Sequence, residues 1–325
     1  MSPEQRLQAV RLMGFTERQA GFLVTVMLYA GVCLGRHYCT FAGIAYGRKM
    51  HEFFERLLAR GYVTVRPCGH NRARLFHIHY KPLYRAIGQV NNRHRRPMAL
   101  GRAIERMMVL DAVLGDRERT WLATEDEKLT HFTLVRRIER RDLPTLTFRA
   151  GDAETVRYFP DKLPIGVGGD GSAYVFLYLL NRDLPVDFRA FLERHAELFR
   201  LVPDWTLRLL VPRHKTEAIP VYHAAFREQI TTPLDPSVAD DLRWYFRTRQ
   251  RRPDDADERF DQAARAFGAP RFQSLYRAWL QRGDGVLDAA VSRVLADSVA
   301  WKTGRFETYV LPHSYARLFT LADCA

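Results

Sequence analysis

Basic and polar side chains are dense between residues 36 and 74, and their chemistry suits binding to an anionic polymer. Arginine and lysine bind phosphate oxygens, and several polar side chains can hydrogen-bond to the edges of bases. The candidate DNA-contacting residues are Arg36, Tyr46, Arg48, Lys49, His51, Glu52, Arg56, Arg66, His70, Asn71, Arg72 and Arg74. The sequence therefore predicts an interface for double-stranded DNA in this stretch.

The formal net charge of +13 is concentrated in the first third of the chain. Residues 1–110 contain 18 Lys and Arg against 5 Asp and Glu, a difference of +13, and the remaining 215 residues contain 32 of each sign. Such an asymmetry is typical of a nucleic-acid-binding module joined to a neutral body. A membrane surface is the weaker alternative, because the basic residues do not follow one long amphipathic helix.

A helix is predicted to hold many of these side chains, from about Arg48 to Arg60. Its core face recurs at helical spacing and consists of Met50, Phe53, Phe54, Leu57 and Leu58. Gly61 follows as the expected C-terminal cap. The polar side chains therefore lie on the opposite face, which is the face that a helix in a major groove presents to base edges.

The start of this helix is expected to make the most specific contacts. The N-terminal residues of a recognition helix face base edges, and the helix N-terminus also attracts phosphate. We therefore expect Arg48 and His51 to read bases, and Lys49 and Arg36 to contact the phosphate backbone.

Two strands are predicted after the helix, on either side of a basic turn. Residues 62–65 and 75–80 are rich in β-branched and aromatic side chains. The run Cys68-Gly69-His70-Asn71 between them favours a hairpin. The basic side chains of this hairpin are expected to bind phosphates, which gives affinity and salt dependence rather than sequence choice.

Upstream of the helix, Thr16 and Gln19 form a capping-box pattern that begins another helix, and a short helix is predicted for residues 36–44. Over roughly residues 5–90, the order of elements resembles a winged helix-turn-helix. The run F-x-x-L-L-A-R-G-Y, which begins at Phe54, resembles the regulators of the MarR type. The resemblance implies a transcriptional regulator that pairs as a homodimer to cover two half-sites. A winged helix that binds only protein is an alternative.

The central region, residues 126–212, is predicted to contain a helix, three or four strands, a helix and a strand. A capping-box pattern at Thr124 begins the first helix, which is expected to end near Glu139. This order resembles the αβββαβ core of the PD-(D/E)xK nucleases, in which Asp161 would be the first metal-binding acid. The next central strand, AYVFLYLL (173–180), lacks the acid and the lysine that the family requires. Since metal-dependent hydrolysis needs clustered carboxylates, the resemblance implies an inactive core. A winged helix joined to such a core also resembles the replication-relaxation family of plasmid and mobile-element proteins.

The sequence thus predicts an α+β chain with three parts. A winged helix-turn-helix covers residues 1–96, an α/β nuclease-like core with a mixed sheet covers 97–214, and a mostly helical region covers 215–325. The main functional hypothesis is a sequence-specific transcriptional regulator. The alternatives are an accessory protein of plasmid replication, mobilisation or defence, and a protein-binding adaptor.

Other chemistry is not indicated, so neither an enzyme nor a cofactor is predicted. Cys33, Cys39 and Cys68 lie near His37 and His70 but lack the common zinc spacings. The glycine-rich run GVGGDGS (166–172) lacks the lysine of a phosphate-binding loop and favours a hairpin or a flexible loop. The longest apolar run near the start is too short to span a bilayer, and no signal sequence is recognised, so a cytoplasmic protein is expected. The sequence does not indicate a small-molecule effector.

Overall fold

The first third of the chain alternates helices with short strands. The computed structural model describes residues 1–69, 73–150, 153–251 and 258–315. Its first elements are α1 (Pro3–Arg11), α2 (Glu17–Tyr29), β1 (Val32–Leu34), α3 (Gly35–Ala42), α4 (Arg48–Ala59), β2 (Val63–Pro67), β3 (Arg74–Ile78), α5 (Lys81–Ala86) and α6 (Leu100–Gly115). Strands β1 and β2 pair antiparallel with β3, in the order β1-β3-β2. The predicted helices and strands of this region are confirmed, and β1 is an additional strand.

Local signals begin and end these helices as the sequence indicates. The Thr16 hydroxyl accepts a hydrogen bond from the Gln19 amide N–H at 3.3 Å, and the Gln19 side chain accepts one from the Thr16 N–H, which confirms the capping box. After α4, Gly61 takes a positive φ of 66°. This left-handed conformation favours glycine and lets the chain turn from α4 into β2.

The core beneath α4 is largely aromatic. Phe54 stacks on Phe76 of β3 with 4.0 Å between ring centroids, and Phe53 stacks on Tyr38 of α3 at 4.4 Å. Phe22 of α2 makes edge contacts with both phenylalanines. Buried rings of α2, α3 and β3 thus pack against one face of α4. This packing determines which face of α4 is exposed.

The rest of the chain combines a sheet with many helices. Its elements are β4 (Thr120–Leu122), α7 (Glu125–Leu129), β5 (Thr145–Ala150), β6 (Ala153–Tyr158), β7 (Ile165–Val167), β8 (Ala173–Leu179), α8 (Val186–Leu201), β9 (Asp204–Val211), α9 (Ile219–Phe226), α10 (Pro236–Arg251), α11 (Glu258–Ala266), α12 (Pro270–Arg282), α13 (Gly285–Val291), α14 (Val294–Ala300) and β10 (Gly304–Val310). Short 3-10 helices lie at Arg140–Asp142 and Arg213–Ala218, and another, at Arg93–Arg95, lies between α5 and α6. The predicted α8 and the mostly helical region after residue 215 are confirmed.

A five-stranded mixed sheet has the order β10-β9-β8-β7-β4. Strands β4 and β7 are antiparallel, as are β7 and β8, so the glycine-rich run between the last two closes a hairpin as predicted. Strands β5 and β6 pair only with each other in the described residues and form a separate two-stranded sheet. The α+β class is thus confirmed, but the strands predicted for the central region do not all join one sheet.

One predicted helix differs from the observed one. The capping box at Thr124 is present, with the Thr124 hydroxyl accepting from the Glu127 N–H at 3.1 Å. The α-helical part ends at Leu129 rather than near Glu139, and the chain continues as a π-helix over Thr130–Val135. The Thr133 hydroxyl donates to the Leu129 carbonyl at 2.7 Å, and such side-chain bonds compete with regular backbone pairing in a helix.

The chain divides into two compact units, each built from separate stretches of sequence. The N-terminal unit contains Met1–Arg119, Leu210–His214 and the chain from Tyr309 onward. The sheet unit contains Thr120–Leu209 and Lys215–Thr308. The elements predicted as a winged helix thus share a unit with α6 and with residues that follow β10. Among the helices of the described residues, none combines the length and apolarity needed to cross a bilayer.

Candidate nucleic-acid interface

The outer face of α4 carries exposed polar side chains. Arg48, Lys49, His51 and Glu52 are all exposed, whereas the opposite face is buried on the aromatic core. The Arg48 side chain is 90% exposed and its Nε lies 2.5 Å from Oε1 of Glu52, one helical turn away. An exposed pair of this kind contributes at most about 1 kcal/mol, so Arg48 can exchange Glu52 for another acceptor at little cost.

The approach to α4 is also open to solvent. Tyr46 is 63% exposed and its ring meets the His51 ring edge-on, with 5.4 Å between centroids. Gly47 then precedes the helix and has no side chain with which to cap the first N–H groups. The positive end of the helix dipole favours an anion at this position.

Three predicted contact residues have partners within the N-terminal unit. Arg56 donates from Nη2 to the Gln19 side chain at 2.7 Å, and Arg74 donates from Nη2 to Glu55 at 2.8 Å. Arg36 forms an ion pair with the buried Asp111. A phosphate would have to share these guanidinium groups with their present partners. The exposed side chains of α4 are therefore better placed to contact DNA than these three.

The hairpin of β2 and β3 leads to the predicted basic turn. Arg66 is exposed on β2, and the Cys68 N–H donates to the Ala73 carbonyl at 2.8 Å, which continues the pairing of the two strands. The turn residues His70, Asn71 and Arg72 lie outside the described residues, so their predicted contacts remain a prediction.

A buried ionic cluster, which the sequence did not predict, lies at the start of α3. Asp111 of α6 is 8% exposed and accepts from Arg36 through both oxygens, Nη1 to Oδ1 at 2.6 Å and Nη2 to Oδ2 at 2.9 Å. His37 Nε2 lies 3.1 Å from the same Oδ1. The Tyr315 hydroxyl donates to Oδ2 of Asp111 and accepts from Arg36 Nη2. The cluster thus connects α3, α6 and the segment after β10 within the N-terminal unit.

The charges in this cluster follow from its burial. Burial lowers the pKa of the His37 imidazole, although Asp111 opposes this effect. His37 Nδ1 accepts the Leu34 N–H at 2.8 Å, so the ring proton lies on Nε2, facing Asp111. Burial alone would raise the pKa of Asp111, but the Nε2–H of His37 and the charge and hydrogen bonds of Arg36 outweigh it and hold this pKa below its usual value. We infer an ionised Asp111 and Arg36 beside a neutral His37.

Two histidines of β3 and its end, and two buried cysteines, have structural surroundings. His77 Nε2 lies 3.0 Å from the His94 carbonyl oxygen, and burial lowers the pKa of His77. The rings of His77 and His79 are 6.1 Å apart. Cys33 and Cys68 are buried thiols. Within the described ranges, no group of three or more His, Cys, Asp or Glu side chains is placed to hold a metal ion.

In the sheet unit, Asp161 lies in the turn between β6 and β7. Its Oδ1 accepts from Nη2 of Arg194 at 2.6 Å, and both side chains are 19% exposed. Strand β8, which follows β7 in the chain, contains only apolar and tyrosine side chains. Asp161 is thus neutralised by an arginine and has no second acid on β8 with which to share a cation.

No family model, curated protein or solved structure matches this chain. Its function is therefore inferred from its own chemistry and geometry.

Proposed function

We propose that the chain binds double-stranded DNA through a winged helix-turn-helix in its N-terminal unit. In this proposal α4 is the recognition helix and the β2–β3 hairpin is the wing. The observation that carries it is the outer face of α4, where Arg48, Lys49 and His51 are exposed while the inner face is held by stacked aromatic rings. A helix so presented has the side chains that major-groove contacts require.

The arrangement around α4 supports the proposal. Helices α2, α3 and α4 precede an antiparallel hairpin, and β1 pairs with the inner strand of that hairpin. The positive charge excess of the chain also lies within residues 1–110. Phosphate binding by such a surface releases counterions and provides most of the affinity. The proposed role is a transcriptional regulator that acts as a homodimer on paired half-sites.

A protein-binding adaptor is the competing function for the same surface, and salt dependence distinguishes the two. Full-length protein is titrated into fluorescent duplexes while the salt concentration is raised from about 50 to about 200 mM. Because each neutralised phosphate adds about 0.9 to the slope of log affinity against log salt, four contacts give about a hundredfold loss. Weak binding with a flat salt response would overturn the proposal. A flat response with tight binding to a protein partner would favour the adaptor.

A second candidate, an accessory protein of plasmid replication, mobilisation or defence, is favoured by a specific order of elements. In sequence, α6, β4, β7, β8, α8 and β9 follow the αβββαβ order, with helix α7 and the β5–β6 hairpin inserted between β4 and β7. Incubation of the full-length protein with plasmid and Mg²⁺ or Mn²⁺ tests for residual cleavage. Cleavage that is lost in Asp161→Ala would support an active nuclease, and no cleavage in either protein would leave only a non-catalytic role for this fold.

A further inference from the structure

A cavity of about 490 Å³ opens within the sheet unit, among α8, α12 and α13. Sites for small molecules typically have volumes of about 300–1,000 Å³. Part of the wall is apolar, with Leu192, Ile230 and Val286 all buried. The rest carries arginines, a glutamine and three acids, Asp142, Glu193 and Glu197, so the cavity offers both an apolar surface and charged and hydrogen-bonding groups.

Three arginines in the wall are held by backbone carbonyl groups. Arg282 donates from Nη2 to the Glu193 carbonyl at 2.8 Å, and Arg200 and Arg271 donate to the carbonyls of Ala289 and Thr232. A carbonyl oxygen satisfies a donor but does not neutralise a cation. The nearest acid to the Arg200 guanidinium is Glu197, at a loose 3.9 Å. The positive charge of this wall is therefore only partly compensated.

Several donors in the same wall lack an acceptor. Nε of Arg200, Nε of Arg271 and Nε2 of Gln229 are buried and have no hydrogen-bond partner in the described part of the chain. A buried donor without a partner is destabilising. All three donors belong to side chains that line one cavity, so a ligand with acceptor oxygens would lie beside polar groups whose hydrogen bonding is incomplete.

Glu193, one of the acids of the cavity wall, neutralises these arginines only in part. Glu193 on α8 is 9% exposed, and burial raises its pKa to about 7 although Arg282, Arg271 and Arg200 oppose the shift. A carboxyl group with this pKa is partly protonated near neutral pH. Its charge therefore offsets the arginines incompletely under ordinary conditions.

We infer that this cavity binds a small organic anion, with its carboxylate or phosphate group on Arg200, Arg271 and Gln229 and its apolar part on Leu192, Ile230 and Val286. Arginine and amide donors recognise the oxygens of both groups, which are acceptors only. The inference goes beyond DNA binding and does not depend on it.

The test uses the full-length protein and small probes that separate charge from apolar contact. Benzoate and phenyl phosphate carry both features, benzyl alcohol is the neutral counterpart, and inorganic phosphate lacks the apolar part. We expect saturable binding of benzoate or phenyl phosphate in calorimetric titration, with a raised Tm, and at least about tenfold weaker binding of the other two probes. Ligand binding to the native state alone raises its stability, which is why the Tm reports occupancy.

Variants link any binding to this cavity. Gln229→Leu removes an unsatisfied donor with little change in size, and Arg271→Gln removes a cation, so each is expected to weaken the anion about tenfold, the effect of about 1.4 kcal/mol. Arg277→Gln, at an exposed position of the same helix as Arg271, is the control and should leave binding unchanged. Arg271→Gln also removes the hydrogen bond from Arg271 to the Thr232 carbonyl, whereas Gln229→Leu leaves this bond in place.

Three outcomes would overturn the inference. They are no saturable binding of either aromatic anion, equal binding of benzyl alcohol, and anion binding that neither Gln229→Leu nor Arg271→Gln weakens. Duplex affinity of the same variants, measured in parallel, should match that of the unmodified protein. A failure of the cavity is thus distinguished from a failure of DNA binding.

Discussion

Arg36 and Asp111, 75 residues apart in sequence, form a two-pronged ion pair through both guanidinium Nη atoms and both carboxylate oxygens. Asp111 is 8% exposed, so its charge depends on this partner and on the Tyr315 hydroxyl rather than on water. Charge-assisted, two-pronged pairs have demanding geometry. The pair therefore joins α3 and α6 in one relative position.

Replacing Asp111 by Asn should destabilise the protein strongly. The substitution leaves the Arg36 charge without its buried partner, and breaking a buried pair from one side costs about 3–5 kcal/mol. Denaturant unfolding of full-length protein measures the change in the free energy of unfolding. Glu118→Gln, an exposed acid in the same unit, is the control and should change this free energy by less than about 0.5 kcal/mol. If Asp111→Asn lowers the free energy of unfolding no more than Glu118→Gln does, the ion pair makes no net contribution to stability.

The depressed pKa of Asp111 should make stability depend on acid pH. A carboxyl group with a lowered folded-state pKa stabilises the fold above its unfolded pKa of about 3.9, and this stabilisation is lost as the pH falls through the folded value. The unfolding free energy of the unmodified protein should therefore fall more steeply below about pH 4 than that of Asp111→Asn. If the unfolding free energies of the two proteins fall equally steeply below about pH 4, the lowered pKa assigned to Asp111 is wrong.

Removal of the Tyr315 hydroxyl should cost about 2 kcal/mol. This hydroxyl bonds to both Asp111 and Arg36, and hydrogen bonds to charged groups contribute about 1.5–3 kcal/mol. Tyr315→Phe keeps the ring that lies 5.5 Å from the Arg36 guanidinium. Tyr46→Phe, at an exposed position, controls for the loss of a hydroxyl. In a double-mutant cycle with Asp111→Asn, effects that simply add would show that the hydroxyl acts independently of the acid.

Replacement of Glu193 by Gln should stabilise the protein at alkaline pH. A raised folded-state pKa of about 7 means that ionisation of Glu193 opposes folding, and the penalty grows from the unfolded value near 4.5 up to about pH 7. Two to three pKa units correspond to about 3 kcal/mol. Glu193→Gln should gain this amount at pH 8 and little at pH 4, by denaturant unfolding. Glu258→Gln, an exposed acid, should show no such pH-dependent difference.

Two substitutions on α4 should affect DNA binding differently. Arg48→Ala should lose about 1–3 kcal/mol on the preferred site and relax the choice of base at one position. Lys49→Ala should weaken all duplexes about equally and reduce the salt slope by about one. Binding of full-length protein to specific and unrelated duplexes, by fluorescence anisotropy, measures both.

Arg265→Ala is the control for this pair, because it removes an exposed positive charge from the sheet unit. It should leave both the affinity and the salt slope unchanged. If Arg48→Ala and Lys49→Ala behave alike, or if Arg265→Ala weakens binding as much, the assigned roles of α4 are wrong.

The sequence predicted those elements that have a periodic or capped pattern. The spacing of Met50, Phe53 and Phe54 defined α4 and, by exclusion, its exposed face. Strands β1 and β4, of three residues each, were not predicted. Their position depends on pairing with β3 and β7, which are distant in sequence.

The candidate sites show the same limit. The exposure of Arg48 follows from its own helix, but the partner of Arg36 is on a helix formed 75 residues later. Nothing in the local spacing around either residue indicates the pair. The cavity near Glu193 is likewise assembled from residues as far apart in sequence as Arg141 and Leu295, so only the folded chain brings its polar groups together.

The position of Tyr315 also has a consequence during synthesis. Its partner Asp111 is made 204 residues earlier, which corresponds to roughly 10–40 s at ordinary rates of translation. In that interval the ribosome produces the whole sheet unit, while the first-made unit still lacks the tyrosine that completes its ionic cluster. The nascent N-terminal unit therefore completes this ionic cluster only after the whole sheet unit has been synthesised.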